Sequence, residues 1–247
     1  MRIDILTIFP NMFAPLTESI IKRAAESGLV KIVITDLRDY AQNKHRRVDD
    51  YPYGGGPGMV MQAQPFFLAL KHLRQAAEPP GRVILMSPRG KPFTQQKARE
   101  LAQEERLILL CGHYEGVDER VREALVDEEI SLGDFILTGG EIPAMAVADA
   151  VVRLLPGVLP EASTAEESFA DNLLEYPQYT RPAEYQGLAV PEVLLSGNHQ
   201  QIKQWRRKQA LLRTLISRPD LLAKVELTAE EKDFLAAEAR RRKVDLL

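Results

Sequence analysis

Leu107-Ile-Leu-Leu-Cys-Gly-His-Tyr-Glu-Gly-Val-Asp118 is the stretch whose reading decides the fold. Leu107–Cys111 is an unbroken apolar run, too short for a helix and stopped by Gly112, as expected of a strand buried on both faces of a parallel sheet. Asp118 stands where a helix N-cap would stand, ahead of a helical pattern over Asp118–Leu125. In an open parallel sheet, the loops that leave the carboxyl ends of the strands line the ligand crevice. His113, Tyr114 and Glu115, bracketed by Gly112 and Gly116, are polar chemistry in that location. Cys111 and His113 do not suggest zinc, because Cys111 is the sole cysteine and no second His/Cys pair lies nearby. Cys111 reads instead as a small buried apolar residue.

Outward from this stretch the pattern repeats. Apolar runs over Ile3–Phe9, Val30–Thr35, Val83–Ser87 and Glu129–Leu137 alternate with helical patterns over Met12–Ala25, Pro65–Ala76, Thr94–Gln103 and Glu141–Leu155. Thr94 is a second candidate N-cap. Alternation of this kind implies an α/β fold with a mainly parallel sheet and helices on both faces. Two more strands end on site-like loops: Leu85-Met-Ser-Pro-Arg-Gly90, and Ser131-Leu-Gly-Asp-Phe-Ile-Leu-Thr-Gly-Gly-Glu-Ile-Pro143. Glu141 opens a helix there, where an acid also suits the dipole. A further loop, Tyr51-Pro-Tyr-Gly-Gly-Gly-Pro-Gly-Met59, packs four glycines and two prolines into nine residues. It matches no phosphate-cradling motif, and no strand leads directly into it. The first strand runs into Phe9-Pro-Asn-Met12 with no glycine, so a conventional dinucleotide turn is absent and the ligand site belongs to the second half of the domain.

After Leu155 the character changes. Glu161–Glu175 is polar and acidic and reads as a linker or mobile loop. Helical patterns then run over His199–Ser217, Pro219–Lys224 and Thr228–Lys243. The expected organisation is an α/β domain over 1–160, a linker over 161–175 and a small all-α domain over 176–247. Net charge is −3, so any nucleic-acid binding rests on local patches. One is Lys44–Arg47. The other runs from Gly197 to Pro219 without an acid and carries Lys203, Arg206, Arg207, Lys208, Arg213 and Arg218 around Trp205. A single cysteine fits a reducing compartment. No stretch approaches the roughly 20 apolar residues of a membrane span, and the N-terminal run is too short for a secretory signal. A cytoplasmic protein is expected.

Taken together, PYGGGPGM, MSPRG, CGHYEGVDERV, SLGDFILTGGEIPAM, RLLPGVL, YTRP and LLSGNHQQIKQWRRKQ resemble the bacterial tRNA (guanine-N1)-methyltransferases of the TrmD family, in order along nearly the whole chain. The resemblance implies a SPOUT-type fold with a trefoil knot, which periodicity alone would never suggest because knots are very rare. It also implies a homodimer with a shared active site, S-adenosylmethionine as methyl donor, and tRNA with guanine at position 37 as substrate, with Mg²⁺ dependence. No carboxylate cluster in the sequence marks a metal cage.

The implied donor-binding residues are Leu85, Met86, Ser87, Pro88, Gly112, Tyr114, Glu115, Gly116, Ser131, Leu132, Gly133, Leu137, Thr138, Gly139, Gly140 and Pro143. The implied tRNA-contacting residues are His45, Tyr53, Gly54, Gly55, Gly58, Ser168, Lys203, Arg206, Arg207 and Lys208. Guanine N1 carries a proton at neutral pH, so a carboxylate base is needed. Charge then develops on O6, which an arginine can stabilise. Arg153 matches the family's arginine. The family's base is an aspartate before Ser-Phe, but here Ala165-Glu-Glu-Ser-Phe169 puts Glu167 in that place, one methylene longer, with Asp171 as the alternative. Two rival readings remain distinct: ribose 2′-O methylation, told apart by the position of the mark, and a non-catalytic RNA-binding module, told apart by donor binding without product.

Overall fold

The apolar runs near the N-terminus form strands, as predicted, and pair in parallel. The computed structural model describes residues 1–160, 163–164 and 167–242, which form two units, Met1–Leu159 and Pro160–Leu247. In the first unit, β1 (Arg2–Thr7), β2 (Lys31–Asp36), β5 (Arg82–Pro92), β6 (Arg106–Cys111) and β7 (Glu128–Ser131) form one sheet in the order β2-β1-β6-β5-β7. Every pairing in it is parallel. Helices α1 (Ser19–Glu26), α2 (Ala63–Ala76), α3 (Gln95–Leu101), α4 (Glu119–Leu125) and α5 (Glu141–Val152) connect and cover it.

Side-chain alternation sorts the strand residues into two layers. Ile3, Ile5, Ile84, Met86, Leu107, Leu109 and Cys111 pack with residues of α1, α3 and α5. Leu6, Val83, Leu85, Ile108 and Leu110 pack on the opposite face with residues of α2 and α4. Central β6 is buried along its whole length, which is why it reads as continuous apolar sequence. Its first residue is the exception to that rule. Arg106 is buried, pairs with buried Asp4 at 2.8 Å, and donates to the carbonyls of Leu73 (2.8 Å) and Pro79 (3.0 Å). It thereby satisfies backbone groups where the chain leaves α2.

Several boundaries move for identifiable reasons. The helix expected over Met12–Ala25 is a 3-10 segment, Pro10–Thr17, followed by α1, because Pro15 interrupts and Ser19 adopts φ +53°. The strand expected over Glu129–Leu137 ends at Ser131: Gly133 turns at φ +150°, and Phe135 and Ile136 lie exposed rather than in a core. Strand β5 continues past the predicted Ser87 to Pro92, its pairing to β7 shifting register between Met86 and Lys91. A strand does lead into the glycine loop at 51–59: β3 (Asp49–Asp50) pairs antiparallel with β4 (Val60–Met61). Two residues per strand are too few for periodicity to reveal. Thr94 and Asp118 cap as predicted, accepting from the amides of Lys97 and Arg120 at 3.2 and 2.9 Å.

The second unit carries α6 (Glu192–Leu195), α7 (His199–Ser217), α8 (Pro219–Leu222) and α9 (Ala229–Arg242). It is not wholly helical, since β8 (Glu184–Tyr185) and β9 (Leu188–Ala189) form a hairpin turning at Gln186 and Gly187, both at positive φ. Leu173, Leu211, Leu215, Leu235 and Ala239 make its core. Thr228 and Glu231 cap α9 reciprocally, each side chain accepting the other's amide. Lys243, expected to end that helix, lies outside the described residues, as do 161–162 and 165–166 of the expected linker. The described part of that segment is tied down rather than loose. Leu173 is buried, Leu174 N donates to Thr214 Oγ1 at 2.8 Å, and Glu175 N donates to Ser168 Oγ at 3.0 Å.

Candidate active site

The carboxyl ends of β5, β6 and β7 open into one cleft of about 580 Å³. Each strand hands its loop to the same space because the three are neighbours in the sheet. All sixteen residues singled out for donor binding lie on its wall, together with Val60, Arg89, His113, Phe135 and Ile136. The loops are stitched to one another through backbone. Gly140 N donates to Gly112 O at 2.8 Å, and His113 bridges to Gly139. A Cβ on Gly140 would lie 2.8 Å from Cys111 Cα, and one on Gly139 would lie 2.1 Å from His113 Nε2. These glycines are therefore required by close approach.

The base of the loop at 51–59 joins the same wall. Glu115 N donates to Met59 O at 3.0 Å, and Met61 N donates to Gly116 O at 2.9 Å. Gly58, at φ +82°, would put a Cβ 2.3 Å from Glu115 Oε1. The tip reaches into open space: Gly54 and Gly55 have no neighbouring atom within 4 Å of a virtual Cβ, and Tyr53 is fully exposed. His45 is exposed in the preceding turn. Arg153 follows α5 as its C-cap, half-buried, with its amide donating to Asp149 O.

The remaining predicted residues gather in the second unit. Glu167 and its alternative Asp171 line one hollow of about 500 Å³ with His199, Lys203, Arg206 and Arg207. Ser168 lines an adjoining hollow with Tyr176 and Arg213. The basic helix face is thus partly engaged within the unit. Arg207 pairs with Glu231 at 2.8 Å, Arg206 stacks over Tyr176 at 4.7 Å, and Lys208 lies 5.7 Å from the Phe234 ring centre. Lys203 is exposed. The hydrogen bond from Arg207 holds the Glu231 carboxyl below the usual glutamate range.

One constellation escaped the sequence reading. Glu141 is fully buried, accepts from Thr7 Oγ1 at 2.7 Å, and approaches His113 Nε2 at 3.0 Å without the alignment of a linear hydrogen bond. Only tertiary contact reveals it, since Thr7 and Glu141 are 134 residues apart. Cys111 beside it is buried, and burial followed by the Glu141 charge pushes its thiol well above the ordinary value, so it is no nucleophile. Among the described residues no three or more His, Cys, Asp or Glu gather as a metal would require, and no helix is long and apolar enough to cross a membrane.

The sequence model of the family described as tRNA (Guanine-1)-methyltransferase TrmD matches residues 1–224. Curated relatives agree with it. The tRNA (guanine-N(1)-)-methyltransferase of Moorella thermoacetica is 64% identical over 247 residues, covering 98% of each chain. That of Pelotomaculum thermopropionicum is 60% identical over 238 residues, covering 95% of each. That of Geobacillus kaustophilus is 58% identical over 237 residues, covering 95% of this chain and 97% of the relative.

Proposed function

From the premise that this chain belongs to the TrmD family of tRNA (guanine-1)-methyltransferases, we propose that it methylates N1 of the guanine at position 37 of tRNA, next to the anticodon, with S-adenosylmethionine as donor. The observation that carries the donor reading is the convergence of three strand-end loops on one cleft. Its volume is in the range that encloses a drug-sized ligand. Its wall mixes Gly139 and Gly140, which carry no side chain, with apolar Leu85, Met86, Leu132 and Pro143 and a few polar groups such as Ser87, Glu115 and Thr138. That combination suits a ligand with a purine, a ribose and a charged tail.

When bound, S-adenosylmethionine supplies an electrophilic methyl on a sulfonium that is its own leaving group, so the protein's task is to position and activate the acceptor. Glu167 accepts the N1 proton, and Arg153 donates hydrogen bonds to the charge that develops on O6. The presence of Glu167 in one hollow with Lys203, Arg206 and Arg207 supports this role, because cations there attract the RNA backbone that brings the guanine to it. Lys203, Arg206, Arg207 and Lys208 contact tRNA phosphates, and His45, Tyr53 and the 54–58 glycines form the lip that meets the substrate.

The SPOUT-type trefoil knot is part of this reading. It is supported by the return of 139–140 onto 111–113 and by Gly90, where a Cβ would lie 2.5 Å from the backbone of Glu129 and Ile130. So is the homodimer, for which exposed Phe135, Ile136 and Ile142 beside the cleft offer an apolar surface. Mg²⁺ would act as an activator, and among the described residues no three His, Cys, Asp or Glu side chains gather to hold it.

The test of the catalytic assignment is Glu167→Gln. Turnover on a guanine-37 transcript is expected to fall by about 10²–10⁴-fold while donor affinity, measured by calorimetry, stays native. Turnover near the native value would take the base role from Glu167 and pass it to Asp171.

A further inference from the structure

Strand β1 ends on Thr7, which is fully buried and forms no part of the cleft wall. Its hydroxyl donates to Glu141 Oε1 at 2.7 Å and accepts from Phe9 N at 2.9 Å. The other carboxylate oxygen of Glu141 faces His113 Nε2 at 3.0 Å. The His113 ring is held edge-on against the Phe9 ring, with centroids 4.8 Å apart, and its amide donates to Met61 Sδ at 3.1 Å. A carboxylate with no exposure is costly unless partners compensate it. Here the Thr7 hydroxyl and the N-terminus of α5 share that task, with the His113 ring packed against the second oxygen. Nothing in the proposed chemistry uses Thr7 or Glu141.

The placement of the two outer members gives the arrangement meaning. His113 belongs to the Gly112–Gly116 loop and Glu141 follows Gly139-Gly140, the two loops already joined by a backbone bridge. Gly139 is glycine because a Cβ there would sit 2.1 Å from Nε2 and 2.5 Å from Glu141 Oε2, in the room the pair occupies. The side-chain contact thus spans the seam of the cleft and ties it to the end of a rigid central strand.

We propose that Thr7, Glu141 and His113 form a positioning relay that sets the spacing of the two glycine loops and through it the affinity for the methyl donor. This rests on the reading of the cleft as the donor site. Thr7 and Glu141 act on the donor only through His113 and the loops, so they are positioning residues. Supporting groups held by a fixed network hold a site to the sub-ångström tolerance it needs.

The experiment compares Thr7→Val, His113→Ala and His113→Gln with the native enzyme by calorimetry with S-adenosylmethionine, by KM and kcat, and by melting temperature. Thr7→Val keeps the shape of a side chain that the donor cannot touch. It is expected to weaken donor affinity by about 2- to 30-fold, the range for coupling from outside a site. KM for the donor rises and kcat at saturating donor stays native. His113→Ala weakens affinity further, and His113→Gln, which can still present an N–H to Glu141, recovers most of it. Leu70→Val, a core change in the opposite layer, lowers melting temperature and keeps native donor affinity. Native affinity in Thr7→Val, or an equal loss in Leu70→Val, overturns the relay. A native enzyme that binds no S-adenosylmethionine overturns the reading of the cleft itself and the relay with it.

Discussion

Replacing Gly140 with alanine isolates close approach from every other property of glycine. Gly140 has φ −81° and ψ −4°, which alanine adopts without strain, so the backbone itself does not object. The new methyl would lie 2.8 Å from Cys111 Cα, 3.0 Å from Gly112 N and 3.1 Å from Met86 Cβ. Carbon atoms in contact prefer about 3.5–4.0 Å, so the shortfall against Cys111 is on the order of 0.7–1.2 Å. Cα atoms of a buried central strand cannot swing away like a side-chain tip. Overpacking of this kind costs about 1–3 kcal/mol. As the loop retreats, the Gly140 N to Gly112 O bond also stretches, at about 1 kcal/mol more. A total near 2–4 kcal/mol corresponds to a fall in melting temperature of about 4–16 °C for a protein of this size. The displaced loop carries the cleft wall with it, and a misplacement of about 1 Å can cost 10²-fold in rate. A thermal melt, calorimetry with S-adenosylmethionine and a turnover assay read these effects. Leu70→Val, in the core layer on the opposite face of the sheet, is the control: it lowers melting temperature and leaves donor affinity native. Native melting temperature and donor affinity in Gly140→Ala would refute the claim that glycine is required there for close approach.

Two further outcomes test the second unit. Lys203→Ala is expected to weaken tRNA binding and reduce the slope of log affinity against log salt by about 1, because an exposed lysine on a phosphate releases a counterion; a slope equal to native removes Lys203 from the interface. Glu231, held below its ordinary range by the hydrogen bond from Arg207, titrates later in the folded than in the unfolded protein as acidity rises. Its stabilisation is therefore full above the ordinary glutamate value and is lost as pH falls through the lowered one. Urea unfolding between neutral and acid pH should show Glu231→Gln losing less stability than native over that window, and parallel curves would contradict the assignment.

Leu107–Asp118 was legible because each feature is local: an apolar run, a glycine and a cap within twelve residues. The strand-end loops followed from the same logic, and their convergence on one cleft needs only the neighbourhood of β5, β6 and β7. Pro15 and Gly133 are visible as residues, but each ends an element that apolar content alone would continue. Thr228-Ala-Glu-Glu231 carried a readable capping box, and Asp4 inside an apolar strand hinted at a buried partner, though nothing in sequence points to Arg106, 102 residues away. The relay through Thr7, Glu141 and His113 was illegible for the same reason. Glu141 had a sufficient local explanation in the helix dipole, so its burial against β1 left no trace in the pattern. The basic run over 197–219 looked like a continuous cationic face, whereas Arg207 is engaged by an acid from another helix.

The most direct test of the central claim is a methyl-transfer assay with labelled S-adenosylmethionine and two tRNA transcripts that differ at position 37, guanine in one and adenine in the other. The account predicts label only in the guanine transcript, mapped to N1. Label in both transcripts, label on a ribose oxygen, or donor binding with no label in either would contradict it.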